Sequence, residues 1–421
     1  MRTQNKFNWG ERIPELDEHS KAKLKILESY LILYFKTLSI NPRMDNIKVT
    51  IVDGFAGGGL YQDAKTKEEI KGSPLVCLDS VKLADYEINH ERTKRINLDV
   101  DFIFNDKEKT HIDSLKNILK IKNYLPNKKI HFLESEFASR LDNIIDFIKN
   151  KNPKNGRSIF ILDQCGYANV PFQAINKIFN KLPTAEIILT FAVDAILNYA
   201  SANGTTAQIL NNIGINNSSD LLAEGLQKRR LSKKNWRFET QFGLYKNMRE
   251  SCVAKYFTPF FIRNKTGHGY YWLIHMSQHP KARDVMMNVH WENHNYFIHY
   301  GGAGLNMFDM LGYDPDIDVE ATNQLGFEFD NKAEEKSINE LVEDLPNLIY
   351  QNKNGITFEQ LFTNTCNTTP ATSQIYRRSL NLNLQNKEIL IVSKDGKTYR
   401  RSANSISDSD IILPAKQMIL L

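Results

Sequence analysis

The chain is poor in the patterns that would name a chemistry at sight. Its four cysteines, Cys77, Cys165, Cys252 and Cys366, lie far apart, with no Cys-x-x-Cys pair and no Cys/His cluster. That spacing points to neither a zinc site nor a disulfide framework. No apolar run approaches the ~18 residues that a membrane helix requires. The N-terminus is polar and lacks the apolar core of a signal segment, so a cytoplasmic setting is the expectation. There is no GxSxG elbow for Ser-His-Asp hydrolysis and no GxxxxGK[ST] phosphate loop. His275 and His279 span a strand end and a turn, so their spacing does not place them on one helical face as metal ligands. No internal repeat of 20–50 residues is visible. The net charge of +5 permits an acidic partner such as nucleic acid without demanding one. What the chain has is length and apolar content. Its 421 residues, 41% of them hydrophobic, imply two or three domains with a large core.

One stretch organises the rest. Val49, Thr50, Ile51 and Val52 read as a short buried strand that ends at Asp53. Gly54, Phe55, Ala56, Gly57, Gly58 and Gly59 follow. Such a turn lets the backbone approach a ligand closely, because glycine has no Cβ and tolerates positive φ. A tight turn after a core strand is the plainer alternative.

Around it the chain alternates. A helix over 20–38 places Leu24, Leu27, Leu31 and Phe35 on one side. Residues 61–71 are polar and read as a long loop. Ser73 then suits an N-cap and Pro74 a first helical position. Strands are expected over 101–105, 129–133, 157–163 and 186–191, with helices over about 108–121, 137–149 and 171–181. This alternation argues a Rossmann-like α/β sheet. Such sheets bind ligands at the carboxyl ends of their strands. Asp53, Asp106, Glu136 and Asp163 all fall there. Residues 195–250 read as helical and polar, with a loop at 201–206. The run Lys228, Arg229, Arg230, Lys233 and Lys234 is either a solvated face or a phosphate-contacting arm. Residues 257–264 and 270–276 form a hairpin through Lys265-Thr266-Gly267-His268-Gly269. Five parallel strands and a late antiparallel hairpin are the order of the class I methyltransferase sheet.

Residues 300–335 look like a linker or cap, separating a domain over 1–299 from one over 336–421. In the tail, helices over 335–350 and 357–365 precede a third that starts with Thr369-Pro370-Ala371-Thr372. A hairpin of 387–392 with 398–401 follows through Lys394-Asp395-Gly396. This is the order of a winged helix-turn-helix, an α+β domain. Residues 346–421 hold nine Lys/Arg against five Asp/Glu. Thr372, Ser373, Gln374, Arg377 and Arg378 on the third helix, with Lys394, Lys397 and Arg400 on the wing, are the candidate contacts to phosphates and base edges. A protein-docking module is the alternative.

KLKILESYL, VDGFAGGG, GSPL, NDK, ILDQCGY and TPFFIRN…YYWLIHMSQHP together resemble the three-Cys-motif partner family (TcmP) over about residues 20–295. Members look like S-adenosylmethionine-dependent methyltransferases. The resemblance implies a neighbouring phage-type partner with three cysteines, and a phage-defence or mobile-element context. It also implies roles. Asp53 and the Gly54, Phe55, Ala56, Gly57 and Gly59 backbone would seat the amino-acid head of S-adenosyl-L-methionine. Asp106 would take the ribose hydroxyls or cap a helix. Glu136 would accept from the adenine amine or cap the next helix. Asp163 would hold the methyl acceptor and Tyr167 would stack on an extruded base. The family's aspartate–proline–aromatic–glycine motif is Asp163-Gln164-Cys165-Gly166 here. Gln164 replaces the proline and Cys165 the aromatic. Cys165 lacks the Pro-Cys setting of cytosine-C5 methyltransferases, and a half-buried thiol is the expectation. Three readings follow: a methyl-transfer enzyme acting on DNA or RNA, a non-catalytic or partner-activated module, and a metal-dependent nuclease using the strand-end acids.

Overall fold

The structure is a computed structural model. It describes residues 9, 12–16, 18–41, 43–154, 156–164, 167–199, 205–215, 217–231, 236–262, 271–293, 296–297, 304–305, 327–328, 331–403 and 406–415. The hairpin turn at 265–269, Cys165, Gly166, Lys233, Lys234 and most of 300–335 lie outside them. The chain divides into two compact units, one of residues 1–236 and 243–289, the other of 237–242 and 290–421.

The first unit opens with a two-residue strand β1 (Glu15–Leu16) and helix α1 (Glu18–Leu38). Leu27, Tyr30, Leu31 and Phe35 of α1 are buried, whereas Leu24 is half-buried. Strand β2 (Asn46–Asp53) carries the apolar run, with Ile51, Val52 and Asp53 wholly enclosed. Next come β3 (Leu60–Asp63), β4 (Glu69–Lys71), α2 (Ser73–Asn89), β5 (Asn97–Asp106), α3 (Lys109–Ile121) and β6 (Ile130–Glu134). After them run α4 (Phe137–Lys151), β7 (Ser158–Leu162), α5 (Phe172–Lys181) and β8 (Ala185–Phe191). Helices α6 (Val193–Tyr199), α7 (Thr205–Asn212), α8 (Ser218–Arg230) and α9 (Trp236–Glu250) precede β9 (Tyr256–Ile262), β10 (Tyr271–Ser277) and α10 (Pro280–Glu292).

The main sheet has the order β6-β5-β2-β7-β8-β10-β9. Strands β6, β5, β2, β7 and β8 run parallel, and β10 is antiparallel to both β8 and β9. This is the Rossmann-like class I methyltransferase order. The parallel strands β7 and β8 are buried on both faces at every residue, so each reads as a largely continuous apolar run rather than an alternation. The connections run from β2 outward to β5 and β6, then return to β7 and β8 on its other side. The order therefore reverses at β2, and the crevice outside its carboxyl end is where such sheets take ligands.

Two local expectations are corrected. Residues 61–71 are a hairpin, not a loop, with β3 antiparallel to β4 and Tyr61 opposite Ile70. The turn is made by Asp63, whose Oδ1 accepts the N–H groups of Lys65 (2.7 Å) and Thr66 (2.8 Å). Lys21 pairs with the same carboxylate and, with those N–H groups, holds it well below the usual range. The polar composition hid a strand pair that owes its order to one aspartate. Likewise, Gly72 rather than Ser73 is the N-cap of α2, because Ser73 is already helical and its hydroxyl lies beside Asp53.

The second unit holds β11 (Tyr296–Phe297), β12 (Phe327–Glu328), α11 (Asn331–Gln351), β13 (Ile356–Thr357), α12 (Phe358–Thr365), α13 (Ser373–Gln385), β14 (Ile389–Val392) and β15 (Ile411–Pro414). Strands β13, β15 and β14 form an antiparallel sheet in that order, giving the winged-helix-like α+β arrangement. The wing differs from expectation. Its strand β14 pairs with β15, while 398–401 touch β14 only through a Val392–Tyr399 bridge. Asp63→Ala is expected to free the Lys65 and Thr66 amides and fray β3. Faster hydrogen exchange there, with the β2 amides unchanged, is the measurement that checks it.

Candidate functional site

The carboxyl edge of the parallel sheet brings Asp53, Asp106 and Asp163 around the glycine turn. Asp53 is 0% exposed at the end of β2. Its Oδ1 accepts the Phe55 N–H at 3.2 Å. The Ser73 hydroxyl favours the ionised form, but Oδ2 is left buried without a hydrogen bond of proper geometry. Burial pushes this carboxyl up to about 7; Ser73 and the Phe55 N–H oppose the rise, and the charges of Asp163 and Asp106 add to it.

The turn itself is held from three sides. The Gly54 N–H donates to Ile161 O (2.9 Å) and the Ala56 N–H to Asn105 O (2.9 Å). Asn105 Nδ2 donates to Gly54 O and to Ser135 O, both at 3.0 Å, and its Oδ1 accepts the Ser135 hydroxyl at 2.9 Å. Asn105 thus ties the ends of β2, β5 and β6 together. In the sequence it is marked only as a strand end; an amide directly before a strand-end acid is the signal that points to it. Gly57 at φ +59° and Gly59 at φ +88° take left-handed conformations that a side chain would strain.

Asp106 has three hydrogen-bond partners. It accepts the N–H groups of Gly57 (3.0 Å) and Glu108 (3.0 Å), and faces His111 Nδ1 at 3.1 Å. Burial works to raise its pKa, but His111 and the two N–H donors outweigh it, so the carboxyl sits below the usual range. A carboxylate offers about four lone-pair positions. Three are taken, so a grip on two ribose hydroxyls needs His111 to turn away. Trp9 lies across the same turn. Its indole N–H donates to Leu60 O at 2.6 Å, and its ring meets His111 edge-on at 4.7 Å.

Glu136 stands at the N-cap position of α4, exposed, and its side chain makes no capping hydrogen bond. Phe55 lies 6.3 Å from Phe137, and Ala56 is buried.

Asp163 follows β7, and both its oxygens lie 2.7 Å from Lys23 Nζ of α1. Lys23 also sits 5.5 Å over the Tyr271 ring. Reading α1 as a packing helix concealed this lysine, because periodicity reports apolar faces only. Asp163 keeps 40% of its side chain exposed. Tyr167 is half-buried, with its ring 6.2 Å from Phe191, which stacks on Trp272. Gln164, in place of the proline, is buried and pins the following loop: its Oε1 accepts the N–H groups of Asn169 (2.8 Å) and Val170 (3.1 Å).

Other candidates find plain roles. His275 is buried between Glu186 (3.1 Å) and Tyr30 (3.2 Å), and His279 Nδ1 accepts the Lys281 N–H at 3.1 Å. Among the described residues no group of three His, Cys, Asp or Glu side chains is placed to hold a metal ion. Lys228 pairs with Glu224 at 2.6 Å, and Arg229 lies 5.4 Å from the Trp236 ring. Among the described residues no helix is long and apolar enough to cross a membrane.

In the second unit the expected contact residues divide. Thr372 is buried as the N-cap of α13, its hydroxyl accepting the Ile375 N–H at 3.3 Å, so it faces the helix and not a ligand. Ser373 is half-buried, and its carbonyl accepts from Arg377. Arg377 pairs with Asp408 at 2.9 Å and lies 4.0 Å over the Phe358 ring. Arg378 pairs with Glu334. Arg400 grips both oxygens of buried Asp410, at 2.8 and 3.0 Å, and so braces the wing instead of projecting from it. Gln374, Lys394 and Lys397 are exposed.

The family model described as "GMT-like wHTH domain" matches residues 312–396. No curated protein matches the chain. Similar solved structures include protein LPL1258 from Legionella pneumophila str. Philadelphia 1, at 10% identity and TM-score 0.33 over 61% of this chain and 85% of that one. A putative S-adenosyl-L-methionine-dependent methyltransferase from Methanococcus maripaludis is similar at 9% identity and TM-score 0.27, over 62% and 95% of the two chains. A putative caffeoyl-CoA O-methyltransferase from Staphylococcus aureus is similar at 11% and 0.24, over 58% and 81%. The fold assignment rests on the strand order of this chain.

Two measurements follow. Asp53 has a folded-state pKa raised above its unfolded one, so its stabilising contribution is present below about pH 4 and lost as pH rises through about 7. Asp53→Asn removes this dependence. In urea unfolding, wild type minus variant stability is expected to fall steadily from pH 4 to pH 7 and level off above. In the second unit, if the exposed Lys394 and Lys397 meet nucleic-acid phosphates, Lys394→Ala and Lys397→Ala in the full chain each lower the salt slope of binding by about 1, measured by fluorescence anisotropy.

Proposed function

We propose that the chain is an S-adenosylmethionine-dependent methyltransferase acting on nucleic acid. The observation that carries the proposal is the glycine turn at the reversal point of the sheet, beside a buried carboxylate with one oxygen unpartnered. That oxygen suits a cationic amino-acid head, and the left-handed glycines keep the backbone open to close approach. The donor set fits the cofactor: Asp53 for the head, Asp106 for a ribose hydroxyl, exposed Glu136 for the adenine amine. Bound S-adenosylmethionine would supply a methyl group already activated on a sulfonium. The residues of this chain then have to bind, orient and exclude water. Asp163, steadied on both oxygens by Lys23, accepts hydrogen bonds from the acceptor group through its exposed edge. Tyr167 offers an aromatic face beside it. The winged-helix-like unit supports nucleic acid as the acceptor, through Gln374 on α13 and Lys394 and Lys397 on the wing.

A second reading is a partner-activated binding module. Lys23 closing on Asp163 and Trp9 lying on the glycine turn favour it. A three-cysteine partner is supported by the sequence resemblance alone. Calorimetry with S-adenosylmethionine tests the seat: wild type is expected to bind, and Asp53→Ala to lose at least ten times in affinity, about 1.4 kcal/mol. Transfer of labelled methyl to mixed DNA and RNA, with and without the partner, separates enzyme from module. Undiminished transfer by Asp163→Ala would remove its assigned role.

A further inference from the structure

Trp9 is attached to the site by more than its own ring. Strand β1 pairs in parallel with β3, the Gln62 N–H donates to Pro14 O at 2.9 Å, and Glu15 pairs with Lys67 at 2.5 Å. These contacts dock residues 14–16 as a strap along β3. The Trp9 indole lies against the backbone of Gly57 and Gly58. A Cβ added at Gly57 would meet the ring at 2.8 Å, and one added at Gly58 would overlap it more deeply. Tyr61, with its ring 5.2 Å away, and His111 flank the indole. His111 is the side chain that occupies Asp106.

We propose that Trp9 is a built-in competitor for the glycine-turn site, and that a nucleoside-bearing ligand binds only when this residue leaves. The inference rests on the cofactor seat proposed above and adds its control. The two glycines offer a bare backbone, and a flat ring with one N–H donor already covers it. One acceptor position of the adjoining carboxylate is taken at the same time, because the ring packs on the imidazole that faces Asp106. Ligand and indole therefore ask for one surface, and ligand and His111 for one acceptor. Departure of the strap uncovers both together.

The measurement is calorimetry with S-adenosylmethionine, and with S-adenosylhomocysteine, on the full chain carrying Trp9→Ala or Trp9→Phe. If the strap is docked about nine-tenths of the time, Trp9→Ala binds about tenfold more tightly than wild type, with Trp9→Phe between. A gain in affinity is not what a merely structural tryptophan gives, since its loss would loosen the site. A second readout uses wild type. Adding ligand is expected to speed tryptic cleavage after the exposed Arg12. Equal or weaker binding by Trp9→Ala, or protection of Arg12 by ligand, would overturn the competitor and make Trp9 a wall of the site while leaving the seat intact. Absence of binding by all three proteins would instead overturn the seat, and the competitor with it.

Discussion

The account depends on the hydrogen bonds that hold the glycine turn between its neighbouring strands. Four of residues 54–59 are glycines with no side chain to anchor them. The turn's backbone groups are tied instead to Ile161 O of β7, to the main chain and amide of Asn105, and to the carboxylate of Asp106. Each is a buried or nearly buried bond, and stranding one partner costs about 1–3 kcal/mol. The turn is thereby fixed before any ligand arrives, and its shape comes from β5 and β7 as much as from its own sequence.

The same acids that hold the turn set its charge. Three carboxylates at neighbouring strand ends repel one another, and the chain treats each differently. Asp163 is paired with Lys23, and Asp106 is held in its ionised form by hydrogen bonds with His111 and two N–H donors. Asp53 receives least, so burial dominates and its proton is held up to about pH 7. A cationic ligand beside Asp53 favours the ionised form, so binding there is coupled to proton release near neutral pH. The docked Trp9 and Lys23, bonded to both oxygens of Asp163, cover the same edge at two points.

Much of this edge was legible in the sequence. Apolar runs that end in acids marked β2, β5 and β7, and the late hairpin fixed the sheet order, because buried parallel strands write themselves as continuous Val, Ile, Leu and Phe. The β3–β4 hairpin was not legible, since Asp63 makes it through backbone N–H bonds that no periodicity records. Lys23 was hidden for a related reason, and so was the seat of Trp9, which the sequence marks only as an anchor for the polar stretch 1–18. Both act across long sequence separations, Lys23 on Asp163 and Trp9 on Leu60, so nothing local to either residue announces the contact. In the second unit the order of elements was legible, but the pairing state of the arginines was not. Asp408, Glu334 and Asp410 each claim one, and basic residues counted along the tail overstate the charge free to meet phosphate.

The central claim is that the glycine turn at the end of β2 is the seat of an adenosylmethionine-type ligand. Ultraviolet cross-linking of methyl-labelled S-adenosylmethionine to the full chain, followed by peptide mapping, tests it most directly. The account predicts label in peptides containing Asp53–Gly59 or Asp106–His111, displaced by excess unlabelled S-adenosylhomocysteine. Label confined to the winged-helix-like unit, or label that the competitor does not displace, would contradict it.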